Sequence, residues 1–339
     1  MKTMKTLAPR VLLAALALVS ATTCSSPPAI NLDTQALQSL ANEVEGDRVW
    51  SNVTTLADKH LSDTPIDCAF LPARQVYPEL CHLTNTQARA WVKQQLESYG
   101  LTVHADETPD KNLYTSNIIA ELPGTSKPEE IIIVGAHFDA FWAGADDNTS
   151  GTAALLELAR VLSKHRFART LRFISFDLEE MGLVGSHRYV AGLGQEQVKL
   201  ALIFDCIGYY SSTPGSQGSI PGLPTPAQGD FLALIGNDGS SQAISEAYAI
   251  NNALKVMKTV PLISPGNGDG PFTGDFQLSD HSAFWLTGRE AVFFTDTAFF
   301  RNKNYHKETD TVDTLDREQL TRATRLATAS VAYWAGAAP

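Results

Sequence analysis

The segment VGAHFDAFWAGADDNTSG, residues 134–151, indicates both the class of fold and the place of a polar site. It continues a run of β-branched residues, which is typical of a buried parallel strand. His137 and Asp139 follow this strand, and a loop then carries Asp146 and Asp147 before a long apolar helix. Open α/β sheets bind their ligands at the carboxyl ends of their strands. The segment therefore predicts a functional site at the end of a central strand.

The acidic pair in this loop indicates a metal ion. The side chains of Asp146 and Asp147 would repel each other in a loop that held no cation. A divalent metal removes that repulsion, and zinc binds the nitrogen of His and the oxygen of Asp or Glu readily. We therefore expect His137 and one of the two aspartates to belong to a metal site.

On either side of this segment, predicted strands alternate with predicted helices. The pattern favours an α/β fold, a three-layer α/β/α sandwich around a central mixed, mostly parallel sheet. We expect residues 33–339 to form a single domain and residues 25–32 to act as a tether. The predicted strands are 101–103, 117–122, 131–136, 170–177, 200–206, 231–236, 256–263 and 291–295. The predicted helices are 33–61 with a break at Gly46, 85–99, 152–164, 185–191, 241–254 and 316–334.

Composition limits the possible partners. The chain has 339 residues, of which 44% are hydrophobic, and this is enough for a large buried core. The formal net charge of -11 would repel a phosphate backbone. A nucleic-acid partner is therefore not expected.

Residues 1–24 are predicted to be an export signal and are left out of the fold. A basic start is followed by an apolar run, residues 11–19, that is too short for a membrane-spanning helix. Small residues then lead to Cys24, so the signal is either cleaved after Ala21 or lipidated at Cys24. The expected location is periplasmic or extracellular, and the second outcome would attach the protein to a membrane through the lipid alone.

The remaining cysteines have two predicted states. Cys68 and Cys81 flank one loop, and an exported chain meets oxidising conditions, so a disulfide between them is expected. Cys206 lies in an apolar strand and is predicted to be a buried free thiol.

Further acidic and His residues follow the later strands, in the order Glu179-Glu180, Asp205, Asp280-His281 and His306. Taken singly, each has an ordinary interpretation: a Glu-Glu pair is usually a solvated helix start, and a lone His is usually a surface residue. Their recurrence after successive strands favours one shared site. Adjacent carboxylates can divide the work there, since one can bind metal while the other accepts a proton from water.

The motifs GAHFD, GADDNTSG, EEMGLVGS, IFDCIGY, SDHSAF and NYHKETDT together resemble the co-catalytic dizinc aminopeptidases. These secreted zinc exopeptidases, which include bacterial leucyl aminopeptidases, are related more distantly to glutamate carboxypeptidase II and glutaminyl cyclase. The resemblance covers about residues 85–335. It implies two zinc ions, with His137 and Asp205 on one, Glu180 and His306 on the other, and Asp147 bridging both.

The resemblance also implies roles for neighbouring residues. Glu179 would be the general base that activates a water between the metals. Asp139 would orient His137 through its ring N–H, and Tyr305 would help to stabilise the oxyanion. The peptide bond after Asp147 would be cis, and Asp280 and His281 would lie beside the site without binding metal.

The activity implied is hydrolysis of N-terminal residues from peptides that have a free N-terminus. Alternatives are a glutaminyl cyclase-like acyltransferase with a single zinc and another metallo-exopeptidase on the same scaffold, such as a carboxypeptidase. A non-catalytic binding domain without metals is a further alternative from a different class.

Overall fold

A mixed sheet forms the centre of the computed structural model, which describes residues 31–69, 71–110, 113–219, 225–268 and 274–336. Within these residues the eight strands of the sheet follow the order β2-β3-β6-β4-β7-β10-β8-β9, and a separate two-stranded ribbon joins β1 to β5. The strands are β1 Leu83–Thr84, β2 Thr102–Thr108, β3 Thr115–Leu122, β4 Lys127–His137, β5 Ala140–Phe141, β6 Arg169–Phe176, β7 Gln197–Phe204, β8 Leu232–Asn237, β9 Thr259–Ser264 and β10 Ala291–Thr295.

The middle of the sheet is parallel. Strand β4 pairs in parallel with β6 and β7, and β7 pairs in parallel with β10. The outer pairs β2–β3, β3–β6 and β10–β8 are antiparallel, whereas β8–β9 is parallel. The carboxyl ends of β4, β6, β7 and β10 therefore meet at one edge of the sheet.

Helices cover both faces of the sheet. Ile132 and Val134 of β4 belong to the core on one face, to which α1, α2, α3, α4, α6 and α8 contribute. Ile131 and Ile133 point to the other face and pack with residues of α5 and α7. The helices are α1 Thr34–Asn42, α2 Gly46–Ser62, α3 Thr86–Ser98, α4 Gly151–Leu162, α5 Val184–Gly192, α6 Ser241–Leu254, α7 His281–Leu286 and α8 Arg317–Ala335. The predicted α/β/α sandwich with a mixed sheet is confirmed.

Several predicted boundaries are wrong. Residues 256–258 are irregular and β9 starts only at Thr259; the Asn251 side chain hydrogen-bonds both the N–H and the carbonyl of Met257 there. Strand β2 extends to Thr108, and helix α7 is an addition to the predicted set. The predicted disulfide between Cys68 and Cys81 is present, and Cys206 is a buried free thiol, as expected.

The predicted export signal, Cys24 and residues 25–30 of the tether lie outside the described residues. Among the helices that are described, none combines the length and the apolar character needed to cross a bilayer.

Candidate metal centre

The fold brings the five predicted metal ligands to one edge of the sheet. His137 is the last residue of β4, and Asp205 directly follows β7. Asp147 lies in the helical loop between β5 and α4. Glu180 follows β6, and His306 lies in the connection between β10 and α8. Each ligand thus comes from a different connection, and the parallel pairing of the central strands places these connections side by side.

The Asp147 carboxylate lies between the two histidines. Its Oδ1 is 3.3 Å from Nε2 of His137, and its Oδ2 is 3.1 Å from Nε2 of His306. On the first side, Nε2 of His137 is also 3.6 Å from Oδ2 of Asp205. On the second side, Nε2 of His306 is 3.0 Å from Oε2 of Glu180. The geometry is therefore that of two half-sites sharing one carboxylate.

The polar atoms of this cluster fit a cation. Nε2 of both histidines, Oδ2 of Asp147 and Oε1 of Glu180 are buried and make no hydrogen bond within the described part of the chain. Buried polar groups without partners are costly, so such atoms point to a missing ion or water. His nitrogen and carboxylate oxygen are the donors that zinc takes in enzyme sites.

Glu179 faces the same space as the first half-site. One oxygen of its carboxylate is 3.8 Å from Nε2 of His137. Ligand atoms of Glu179, His137 and Asp205 lie within 4.8 Å of one another, as do those of Asp147, Glu180 and His306. Glu179 is 8% exposed, so its carboxylate is held close to the metal ligands with little contact to solvent.

Electrostatics show how strongly the protein concentrates negative charge here. Burial raises the pKa of Glu179 well above its usual range, and burial also raises the pKa of Glu180 to about 8. Burial alone would lower the pKa of His306. The negative charges of Glu180 and Asp147 and their contacts with the ring have the larger effect and raise the pKa to about 11. Without a cation the cluster therefore retains extra protons, which a bound metal would displace.

Asp139 holds the backbone of the Glu179-Glu180 pair. The N–H groups of Glu179 and Glu180 donate to its carboxylate at 3.1 and 3.2 Å. Nδ1 of His137 contacts the backbone carbonyl oxygen of Asp139 at 3.0 Å, while the carboxylate is farther away at 3.6 Å. The backbone carbonyl of Asp139 thus makes the main contact that orients His137. The Asp139 side chain instead holds the backbone that follows β6.

Asp310, which the sequence analysis does not single out, holds the Asp146-Asp147 pair in the same way. Its carboxylate accepts hydrogen bonds at 3.1 Å from the backbone N–H groups of both residues, and its carbonyl oxygen accepts one from Ala145 at 3.2 Å. Asp310 is 2% exposed and lies four residues after His306. Its place in the NYHKETDT motif is the one signal in the sequence, although the motif gives no reason to choose it over Glu308.

Asp146, by contrast with Asp147, faces away from the metal ligands. Its carboxylate accepts hydrogen bonds from the Gly208 N–H at 2.9 Å and from the Asn302 side chain at 2.7 Å. The peptide bond from Asp147 to Asn148 is cis, as the resemblance implied. Gly144 precedes the loop at φ +44°, where a Cβ would lie 2.5 Å from the Asp147 carbonyl oxygen. The loop thus presents one aspartate to the site and uses the other as an anchor.

The remaining predicted residues border the site. Tyr305 stacks on His306 with ring centroids 3.9 Å apart. Asp280 is fully buried, and neither of its carboxylate oxygens makes a hydrogen bond within the described part of the chain. His281 places Nε2 2.5 Å from the Phe276 carbonyl oxygen, so this nitrogen is bonded to the backbone and is not offered to a metal.

An apolar pocket opens beside Asp205. It contains about 480 Å³ of space, part of it open to solvent. Tyr305 lies on its wall next to the metal ligands, and Asp275 is a second acidic residue in the lining. The large apolar side chains that line it are Ile235, Phe276, Leu278, Phe293, Phe299 and Phe300. A bulky hydrophobic side chain could therefore lie directly beside the first half-site.

Comparison with known proteins places this arrangement in a family. Residues 117–331 match the family described as Peptidase family M28. The uncharacterized protein YfbL of Escherichia coli K12 is 30% identical over 292 residues, which cover 80% of this chain and 88% of that protein. The chain belongs to peptidase family M28. The predictions of this family and of a peptide-hydrolysing enzyme are confirmed.

Two of the relatives with a named activity illustrate what the chain is similar to. Leucine aminopeptidase 2 of Trichophyton equinum is 29% identical over 249 residues, covering 66% of this chain and 46% of that protein. The structure of BSAP, a zinc aminopeptidase from Bacillus subtilis, is 27% identical with a TM-score of 0.52, covering 67% of this chain and 52% of that one. The chain thus spans about half the length of these two enzymes.

Proposed function

We propose that the chain is a zinc-dependent aminopeptidase that releases N-terminal residues from peptides. The observation that carries this proposal is the position of Asp147 between two half-sites, each with one His and one further carboxylate. The two relatives with named aminopeptidase activity support the same function.

Two zinc ions fit the donor set. His137 and Asp205 would hold one ion, Glu180 and His306 would hold the other, and Asp147 would belong to both half-sites. When bound, zinc polarises a peptide carbonyl and lowers the pKa of water toward neutrality. The buried, unpartnered atoms of these ligands are the structural basis for this assignment.

Glu179 is suited to move the proton. Its carboxylate is buried, and Asp139 fixes its backbone. A carboxylate held in place beside the attacking water can act as the general base. Glu179 accepts the proton of the attacking water and then transfers it to the nitrogen of the departing amine. Glu180, which contacts His306, acts as a ligand.

Tyr305 lies next to the proposed metal ligands. Its ring is packed against His306 and forms part of the apolar pocket, so its position is fixed by both. We assign its hydroxyl group as a hydrogen-bond donor to the carbonyl oxygen of the scissile bond. Donors that are already in place cost no reorganisation during the reaction.

The apolar pocket would hold the side chain of the first residue of the peptide. Its aromatic lining favours Leu, Phe or Met over charged residues. Asp205 stands at the pocket wall and Glu179 lies close to it, so both carboxylates suit a positively charged α-amine. A free N-terminus is therefore part of the proposed recognition.

A panel of aminoacyl p-nitroanilides tests this function. We expect hydrolysis of the Leu and Phe derivatives, loss of activity after chelation and recovery on addition of zinc. N-acetyl-Leu p-nitroanilide serves as the matched control, because it lacks the free amine. Hydrolysis of the acetylated compound, or activity that survives removal of all metal, would contradict the proposal.

We also propose that the protein is exported, and that residues 1–24 are the signal. The disulfide between Cys68 and Cys81 supports an oxidising compartment. Mass spectrometry of the mature N-terminus would distinguish cleavage after Ala21 from lipidation at Cys24. A cytoplasmic protein with an intact N-terminus would contradict export.

A further inference from the structure

A second pocket reaches the metal ligands from another direction. It is lined by Glu180 and His306, the non-shared ligands of the second half-site, and contains about 750 Å³ of partly open space. The first pocket instead touches Asp205, a ligand of the first half-site, together with Tyr305. The two pockets therefore flank the shared carboxylate of Asp147, one beside each half-site.

The wall of the second pocket is provided by the disulfide-bonded segment, defined here as the described residues from Cys68 to Cys81, namely 68–69 and 71–81. Ala73, Tyr77, Glu79 and Leu80 of this segment line the pocket. The Cys68–Cys81 disulfide closes the segment on itself, and the Tyr77 N–H donates to the Ala73 carbonyl at 2.8 Å. The segment contains no long helix or strand, and these contacts give it a defined shape.

The segment is also fixed to the metal centre. Leu83, two residues after it, pairs with Phe141 in the ribbon of β1 and β5. Phe141 contacts the ring of His306 edge-on, with centroids 4.9 Å apart, and lines the same pocket. Leu80 and Phe141 share one small apolar cluster, against which Met181 packs. The wall and the second half-site are thus parts of one packed unit.

The character of this pocket suits a side chain of a continuing peptide. Tyr77 is 56% exposed although it is aromatic, and Met181 and Phe141 supply further apolar surface. An apolar surface left partly open next to reactive groups is typical of a ligand site. Because its outer wall is the exposed part of the disulfide-bonded segment, a chain that leaves the metal centre here can run on into solvent.

We infer that the second pocket binds the side chain of the residue that follows the cleaved bond, and that it prefers a large apolar or aromatic side chain there. This inference rests on the proposed aminopeptidase function, which places the first residue in the pocket beside Asp205. The scissile carbonyl then lies at the metal centre between the two pockets. The next side chain is directed toward Glu180 and His306, where the disulfide-bonded segment receives it.

The test uses the full-length, zinc-loaded protein and two substrates that differ only in the second residue, Leu-Phe-amide and Leu-Gly-amide. We expect the wild-type ratio of kcat/KM values to favour Leu-Phe-amide. Tyr77→Ala should lower this ratio about fivefold, the size expected for losing one partly buried aromatic contact. Met181→Ala, a second change in the same wall, should lower it in the same direction.

Two controls make the result specific. Tyr248 on α6 is a comparably exposed tyrosine outside both pockets, so Tyr248→Ala should leave the ratio unchanged. Leu278 lines the first pocket, so Leu278→Ala should alter the preference for Leu over Ala at the first residue. Zinc content and thermal melting are measured for every variant to confirm that each is folded and loaded.

The outcomes separate the two proposals. If the wild-type protein releases no Leu from either amide, the proposed function fails. If it releases Leu but Tyr77→Ala and Met181→Ala leave the ratio as in the wild type, the inference about the second pocket is wrong and the function stands. A ratio that responds to Leu278→Ala alone would place the second residue in the first pocket and would also overturn the inference.

Discussion

At the scale of single residues, two adjacent glutamates have different surroundings. Both backbone N–H groups are held by Asp139, so the pair is placed as one unit. The carboxylate of Glu180 nevertheless lies 3.0 Å from His306, whereas that of Glu179 is 3.8 Å from His137. The two carboxylates therefore face different half-sites, Glu180 the one with His306 and Glu179 the one with His137.

Substitution of each glutamate tests this division. Glu179→Gln should retain zinc, because no proposed ligand is removed, and kcat should fall by roughly 10²–10⁴-fold, the usual contribution of a positioned acid–base group. Glu180→Gln should lose zinc from the second half-site. The measurements are kcat, KM and zinc content for both variants. Zinc loss in Glu179→Gln with full retention in Glu180→Gln would show that the two roles are reversed.

Asp310 acts on the metal centre through the backbone of its neighbours. Asp310→Ala removes the acceptor for the N–H groups of Asp146 and Asp147, so the shared ligand should lose its fixed position. We expect a loss of zinc affinity of roughly 10–100-fold, as for other partners of metal ligands. Zinc titration and the absorption spectrum of the cobalt-substituted protein measure this effect.

A matched control for Asp310 is available nearby. Asp313 is exposed and accepts a hydrogen bond from the Thr311 side chain, so Asp313→Ala should leave zinc affinity unchanged. Asp310→Asn keeps one acceptor oxygen and should recover part of the affinity. Equal zinc affinities in wild type and Asp310→Ala would show that the loop keeps its shape without this carboxylate.

At the scale of elements, the success of sequence-based prediction depends on burial. Helix α4 and the buried part of β4, residues 131–136, are predicted well because their residues are nearly all apolar and buried, whereas the more exposed start of β4, residues 127–130, is missed. Strand β2 is predicted too short because it is an edge strand, in which polar residues reduce the apolar signal. The ribbon of β1 and β5 depends on pairing between distant residues, which local patterns do not report.

The disulfide-bonded segment contributes to stability through the closed loop. The two cysteines are 13 residues apart, and the chain-entropy model gives about 3 kcal/mol for a loop of this length. The variant with both Cys68→Ala and Cys81→Ala should lose up to about that much free energy of unfolding. Urea unfolding of the variant and of the oxidised and reduced wild type measures it. Identical midpoints in all three would contradict a stabilising role.

At the scale of the whole molecule, buried histidines make stability depend on pH. Burial lowers the pKa of His60 to about 4, although Asp139 and Asp63 oppose the shift. Its Nδ1 lies 2.8 Å from the Thr84 hydroxyl. Below its unfolded pKa of about 6.5 the unfolded chain binds the proton that the folded chain excludes. The contribution of His60 to the free energy of unfolding is therefore complete above pH 6.5, and it is lost as pH falls toward 4.

Replacement of His60 by Gln should remove this dependence and keep a polar side chain near Thr84. Between pH 7.5 and pH 5, the metal-free wild type should lose about 1–2 kcal/mol more free energy of unfolding than His60→Gln. Urea unfolding at both pH values, with chelator present throughout, gives the comparison. Parallel losses in the two proteins would assign the pH dependence to other groups.

The sequence predicts the proposed metal ligands better than it predicts the residues that hold those ligands in place. His137, Asp205 and the Glu179-Glu180 pair stand at the ends of predicted strands, so the order of strands and motifs brings them together. Asp310 supports the site through backbone hydrogen bonds to another segment, and such contacts leave no periodic or compositional trace. The choice of Asp147 over Asp146 came from resemblance alone, and only the structure shows the Gly208 and Asn302 contacts that turn Asp146 away.

The positions of the proposed ligands along the chain determine when each half-site can be completed during synthesis. The first ligand, His137, ends a central strand, but the last, His306, precedes only the final helix α8. A chain that stopped before residue 306 would still contain every strand of the sheet, yet its second half-site would lack its only histidine. On the proposed ligand assignment, the first half-site can therefore be complete once residue 205 has been made, whereas the second has to wait for residue 306.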